Sequence, residues 1–129
     1  MPPSIITYRT KGDLTKTETF LKRLMKQDLK SILNKYGQLG VEALSKATPV
    51  DTGKTAASWD YEVTIAPGSA TLTWTNSNTN RGVPIALLIQ YGHGTPTGGY
   101  VPGQDYIKPA IRPIMDELTK ALWKEVSEL

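Results

Sequence analysis

The chain has 129 residues, 39% of them hydrophobic and 21% charged, with a net charge of +3 and no cysteine, which suits one domain large enough to close a hydrophobic core. That composition excludes disulfides, thiolate metal sites and cysteine nucleophiles, and it fits a reducing cytoplasm. No apolar run reaches the roughly 18 residues of a membrane span, and the start, Met1-Pro-Pro-Ser-Ile-Ile-Thr-Tyr8, lacks the basic and apolar regions of a secretory signal.

Residues 5 to 10 read as a short strand or an ordered arm, because Ile5, Ile6 and Tyr8 favour β structure and Lys11-Gly12-Asp13 reads as a turn. Helical spacing takes over at Thr15, where Thr15-x-x-Glu18 makes a capping box. Phe20, Leu21 and Leu24 begin an apolar stripe; Leu29, Ile32, Leu33, Tyr36, Leu39 or Gly40, Ala43 and Ala47 continue it. Asp28 is placed to cap a second, longer helix. Gly37 and Gly40 each cost about 1 kcal/mol against Ala in a helix interior, so a close neighbour is expected there. Lys22, Arg23, Lys26 and Lys30 read as a solvated helix face rather than a nucleic-acid stripe. Pro49 ends the helix and pushes Thr48 toward extended geometry.

Past the Asp51–Gly53 loop the period changes from helical to two. Trp59, Tyr61, Val63 and Ile65 alternate with polar residues, Ala66-Pro-Gly-Ser69 turns the chain, and Ala70, Leu72 and Trp74 alternate on the way back. This is an antiparallel hairpin whose apolar side faces the long helix. After a polar loop, Ile85-Ala-Leu-Leu-Ile-Gln-Tyr91 reads either as a helical turn leading into a strand or as one buried strand. Gly92 to Asp105 holds five glycines and two prolines, the composition of a long loop, and such loops are usually functional or bind a partner. Pro109 and Pro113 mark a helix start, with Ile111, Ile114, Leu118, Leu122 and Val126 as its stripe. The fold class expected is α+β: a long N-terminal helical region and a C-terminal helix packed on a small antiparallel β-sheet. Residues 1–14 form an arm or short strand, and 15–129 a single domain.

Two enzyme motifs fit poorly. Gly53-Lys54-Thr55 invites a phosphate-loop reading, but the glycine needed five positions before Gly53 is Thr48, Pro49 removes a donor, and a helix rather than a strand precedes it. Asp51-Thr52-Gly53 matches the triplet of small dimeric aspartic proteases, in which two Asp share a proton. Here it follows Thr-Pro after a helix, and Lys54 stands where a small residue belongs. A structural turn of Pro49, Asp51, Thr52 and Gly53 explains these residues better. His93 is the only histidine; with no cysteine or carboxylate cluster beside it, a structural or hydrogen-bonding role is expected. Ser58 lacks a nucleophile's sequence context. Trp59, Trp74 and Trp123 read as core or interface anchors rather than a base-stacking platform.

Three segments stand in order between the helices: Ala47-Thr-Pro-Val-Asp-Thr-Gly-Lys-Thr-Ala-Ala-Ser58, Ile89-Gln-Tyr-Gly-His-Gly-Thr95 and Tyr106-Ile-Lys-Pro-Ala110. Each is weak alone. As an ordered set over roughly residues 15 to 125 they resemble the tail-component family of tailed bacteriophages, the neck, tail-completion or head–tail joining proteins. The departures are Thr48, where Ala is common, and an extended Gly98-Gly-Tyr-Val-Pro-Gly103 loop.

The resemblance implies a non-enzymatic virion protein, assembled in the host cytoplasm, without cofactor, metal or membrane. It implies a homo-oligomeric ring, a hexamer ahead of a dodecamer. Its neighbours would be an adaptor or stopper on one side and a tail terminator or tail tube on the other, with DNA passing non-specifically through the lumen. The expected interface loop comprises Tyr91, Gly92, His93, Gly94, Thr95, Gly98, Gly99, Tyr100, Val101 and Pro102. Tyr100, Val101 and Tyr106 are apolar groups that such a loop would bury against a neighbour, and the N-terminal arm is a second means of reaching one. The alternatives from other classes are an aspartic protease dimer using Asp51 and a small nucleic-acid-binding domain.

Overall fold

The computed structural model describes residues 4–10, 26–49, 53–66 and 69–127. The expected capping box at Thr15, the apolar start at Phe20, Leu21 and Leu24, the Lys22–Arg23 pair, and Asp51 and Thr52 of the turn lie outside the described residues. The chain is α+β, with helices on one face of a small antiparallel sheet. In order it forms β1 (Ser4–Thr10), α1 (Lys26–Ala47), a 3-10 turn (Ala56–Ser58), β2 (Trp59–Ala66), β3 (Ser69–Asn76), β4 (Thr79–Asn80), β5 (Val83–Pro84), α2 (Ile85–Tyr91), β6 (Gly92–Gly94), β7 (Tyr100–Pro102) and α3 (Ile107–Ser127). Among the described residues no helix is long and apolar enough to cross a membrane.

The main sheet has the order β1-β3-β2. Residues 5 to 10 therefore take the strand alternative, pairing with β3 of their own chain. Register aligns Tyr61, Trp74 and Ile6 in one row and Val63, Leu72 and Tyr8 in the next. These rows form the inward face, as the alternation of β2 and β3 requires. Leu72 and Trp74 on the central strand are fully buried; their neighbours on the two outer strands are half-buried.

Helix α1 lies against this face. Leu29, Leu33, Gly37, Gly40 and Leu44 are its buried positions, stepping three and four residues along one side. The stripe thus runs through Gly40 rather than Leu39, and through Leu44, which the sequence reading passed over. Asp28 lies in the first turn of the described helix, not ahead of it. The two glycines have the close neighbour their helix cost calls for. A Cβ at Gly37 would overlap the Tyr61 ring, and one at Gly40 the Trp74 indole. Without side chains there, the helix backbone meets the aromatic rings, and the Trp74 Nε1 donates to the Gly37 carbonyl at 3.0 Å. The indole is buried with its only donor satisfied, which avoids the penalty of an orphaned polar group.

Helix α3 completes the layer beside α1. Ile111, Leu118 and Leu122 are buried and Ile114 is half-buried, as its stripe requires; the side chain of Val126 lies outside the described residues. The helix begins at Ile107, so Pro109 falls in its first turn, where a missing N–H costs nothing. Pro113 sits inside the helix, not at its start.

Candidate functional site

Three junctions hold the non-helical parts together, and they coincide with the three sequence segments. In the first, α1 hands over to the 3-10 turn and β2. Thr48 is buried; its N–H and its hydroxyl both donate to the Leu44 carbonyl, at 3.0 and 2.6 Å. The same hydroxyl accepts the Trp59 Nε1 at 2.8 Å. Ser45 donates to the Ala56 carbonyl at 2.8 Å. The Thr55 carbonyl accepts Asn76 Nδ2 at 2.9 Å, and the Thr55 hydroxyl accepts Asn78 Nδ2 at 2.8 Å. These groups largely satisfy one another within the fold, so they fix geometry rather than presenting chemistry to solvent. Ser58 donates its hydroxyl to the Lys54 carbonyl at 2.6 Å, as a local turn contact. Gly53 has φ +80° and open space around it, the left-handed turn position that glycine fills without strain.

The second and third junctions meet at one side chain. Residues Ile85–Tyr91 form α2, and β6 follows directly, which is the helix-then-strand alternative. Gln90, the one amide in that apolar run, is buried. Its carbonyl oxygen accepts the N–H groups of both Tyr106 and Ile107 at 2.9 Å. Its Nε2 donates to Asp105 Oδ1 at 2.6 Å. Gln90 therefore caps α3 from a distance, satisfying two of the N–H groups that a helix start leaves open. The Gln104 N–H adds a bond to the Ile89 carbonyl at 2.9 Å. Together these bonds clamp the two ends of the 92–105 segment side by side.

Tyr106 does not belong with the exposed groups of that segment. It is only 7% exposed and sits in the core, with its hydroxyl donating to the Ala86 carbonyl at 2.8 Å. Burial pushes the phenol up to about 12, partly offset by a hydrogen bond with Thr48. A phenolic ring in a helix-opening segment is drawn inward because Gln90 anchors the backbone on either side of it. The expectation that Tyr106 needs a neighbouring subunit is corrected by this placement.

The segment from Gly92 to Asp105 is also not a structureless loop. β6 and β7 pair antiparallel, matching Gly92 with Pro102, His93 with Val101 and Gly94 with Tyr100. Gly92 turns the chain out of α2 at φ +83°, and a Cβ there would strike the Tyr100 hydroxyl and the Val101 carbonyl. The tip is closed by Gly98 N–H to the Thr95 carbonyl at 3.1 Å and Thr95 N–H to the Gly99 carbonyl at 2.9 Å. The Tyr100 hydroxyl reaches back to the Tyr91 carbonyl at 3.1 Å. Apolar surface remains outside: Tyr91 is 63% exposed, Tyr100 65% and Val101 43%. His93 is half-buried with its Nδ1 atom enclosed and unpartnered.

Trp59 and Trp74 are core residues, whereas Trp123 on α3 is 67% exposed. Among the described residues no group of three or more His, Cys, Asp or Glu is placed to hold a metal. Sequence reasoning missed Asn76, Asn78 and Gln90. Gln90 closes an apolar run, the signal of a buried amide with a structural task, whereas Asn76 and Asn78 stand among other polar residues and carry no such signal. Set against protein-family models, curated proteins and solved structures, the chain matches none.

Proposed function

We propose that this chain is a structural subunit of a tailed-phage neck, forming a ring that completes or joins the tail at the head–tail interface. The ordered segments 47–58, 89–95 and 106–110 point to that class. One structural observation carries the reading further: a short glycine-rich hairpin that displays Tyr91, Tyr100 and Val101 to solvent from a clamped base. Ring assembly joins one patch of each subunit to a different patch of the next, and aromatic groups on a pre-ordered arm lower the ordering cost of such a contact. The ring is a hexamer ahead of a dodecamer, placed in the virion between an adaptor or stopper and a tail terminator or tail tube. Its mild positive charge suits non-specific passage of DNA, and its role is architectural rather than catalytic.

The test is the mass of the native assembly, by sedimentation or native mass spectrometry, combined with joining of phage heads to tails in extracts lacking the protein. A closed ring that restores joining is expected. A monomer at every concentration that leaves joining unrestored would overturn the reading, as would peptidase activity abolished by Asp51→Asn.

A further inference from the structure

The three-stranded sheet ends in two unlike edges. Among the described residues β1 and β2 each pair with β3 on one side only, and both run antiparallel to it; they are therefore parallel to one another. Each outer strand leaves inward apolar side chains half-buried, Ile6 and Tyr8 on β1, Tyr61, Val63 and Ile65 on β2. Between them Leu72 and Trp74 are fully buried. A cleft of about 530 Å³, lined by Ile5, Ile6, Leu87, Ile107, Ile111 and Met115 among others, keeps the start of β1 apart from α2 and α3.

The outward face carries opposite charges at the two edges. Asp60 and Glu62 stand exposed on β2, and Arg9 stands exposed on β1. The strand between them offers Thr71, Thr73 and Thr75 at the neighbouring positions, so neither edge finds a counter-charge within the sheet. Exposed edges are usually blunted by prolines, bulges or charges. β2 has no proline, bulge or inward charge, its outward Asp60 and Glu62 repel a like edge but attract a basic one, and the one register shift in β1 lies between Ser4 and Ile6, leaving 6–9 regular.

We propose that β2 of one copy pairs in parallel with β1 of a second copy, so that the sheet continues from subunit to subunit with Asp60 and Glu62 beside Arg9. The proposal deepens the ring reading, on which its closure rests, by naming the contact. Strand addition supplies the ladder bonds that neither outer edge makes among the described residues, and it completes the burial of Tyr61, Val63, Ile6 and Tyr8. The charges fix which edge meets which, because β1 against β1 or β2 against β2 places like charges together. Unlike edges make a head-to-tail contact that repeats around a ring.

Charge reversal tests it. Arg9→Glu and Glu62→Arg should each weaken assembly about tenfold in sedimentation equilibrium, and the double variant should recover part of the loss, since the 9–62 pair is restored with its signs exchanged while Asp60 keeps its charge. Because the chain has no cysteine, an independent measurement is direct. A mixture of two single-cysteine chains, Thr7→Cys and Thr64→Cys, both exposed positions, should give covalent dimers with a bismaleimide long enough to span a four-residue slip, roughly 13 Å along the strand. Either single-cysteine chain alone should give none. Single reversals without effect, a double variant without recovery, or no covalent dimer from the mixed single-cysteine chains would each overturn edge pairing. If the wild type nevertheless forms rings, the functional reading stands and only this contact is wrong; a wild type that stays monomeric removes both.

Discussion

The two main hairpins of this protein solve opposite problems. β2 and β3 are eight residues each, tightly joined by the pairing of Ala66 with Ser69, and they are held by the core: Leu72 and Trp74 have no solvent exposure at all. β6 and β7 are three residues each and bury none of their side chains fully. An isolated ribbon that short is marginal in water. It persists here because its base is clamped by Gln90, Tyr100 bonds back to Tyr91, and its tip is closed by Thr95. One hairpin is stabilised by what it hides, the other by where it is attached. A hairpin of the second kind is free to spend its apolar side chains on a partner.

Breaking the first hairpin should have the largest effect. Trp74→Ala removes a buried indole and its bond to the Gly37 carbonyl, and a cost of about 3–5 kcal/mol is expected in urea unfolding. A loss below about 1 kcal/mol would mean the helix–sheet contact is not the core of the fold.

Gln90→Ala attacks the attachment of the second hairpin. It leaves the Tyr106 and Ile107 N–H groups unpaired and frees Asp105, so about 1–3 kcal/mol is expected. The distinguishing readout is hydrogen exchange. Protection should fall at Tyr106, Ile107 and the β6–β7 amides, while β2 and β3 keep theirs; uniform loss would refute the clamp.

A smaller effect is tied to pH. The Tyr106 phenol is raised from 10.0 to about 12 in the folded chain, so between those values the folded state holds a proton that the unfolded state has released. Its contribution is fully present below pH 10 and lost as pH rises through the folded value, with an upper bound on the order of 3 kcal/mol. Tyr106→Phe should cost about 1 kcal/mol at pH 7 through the lost bond to Ala86. It should also flatten the decline in stability measured from pH 10 to 12. An unchanged slope would show that this phenol does not govern it.

The smallest effect on stability belongs to the displayed surface. Tyr100→Ser with Val101→Ser should change unfolding by no more than about 0.5 kcal/mol, because both side chains are exposed. Assembly or head–tail joining should nevertheless fall sharply. Normal joining by this variant would detach the second hairpin from function and leave the contrast between the two hairpins purely structural.

The sequence by itself determined the α+β class, the β2–β3 hairpin, the inward stripe of α3 and part of that of α1, because periods of two and 3.6 are written residue by residue. It also identified Gly37 and Gly40 as sites of close approach, from their cost in a helix, although not the rings that approach them. Only the tertiary structure decided the rest. Whether Ile85–Tyr91 would be helix or strand depends on Gln90 reaching α3, a contact between residues far apart in sequence. Residues 92–105 look structureless because glycines carry no pattern, and their pairing becomes visible only when both ends are fixed. Tyr106 reads as a loop residue until Ala86 and Thr48 are brought beside it. Burial of a polar side chain is a property of its partners, and partners assembled from four separate segments leave no local trace.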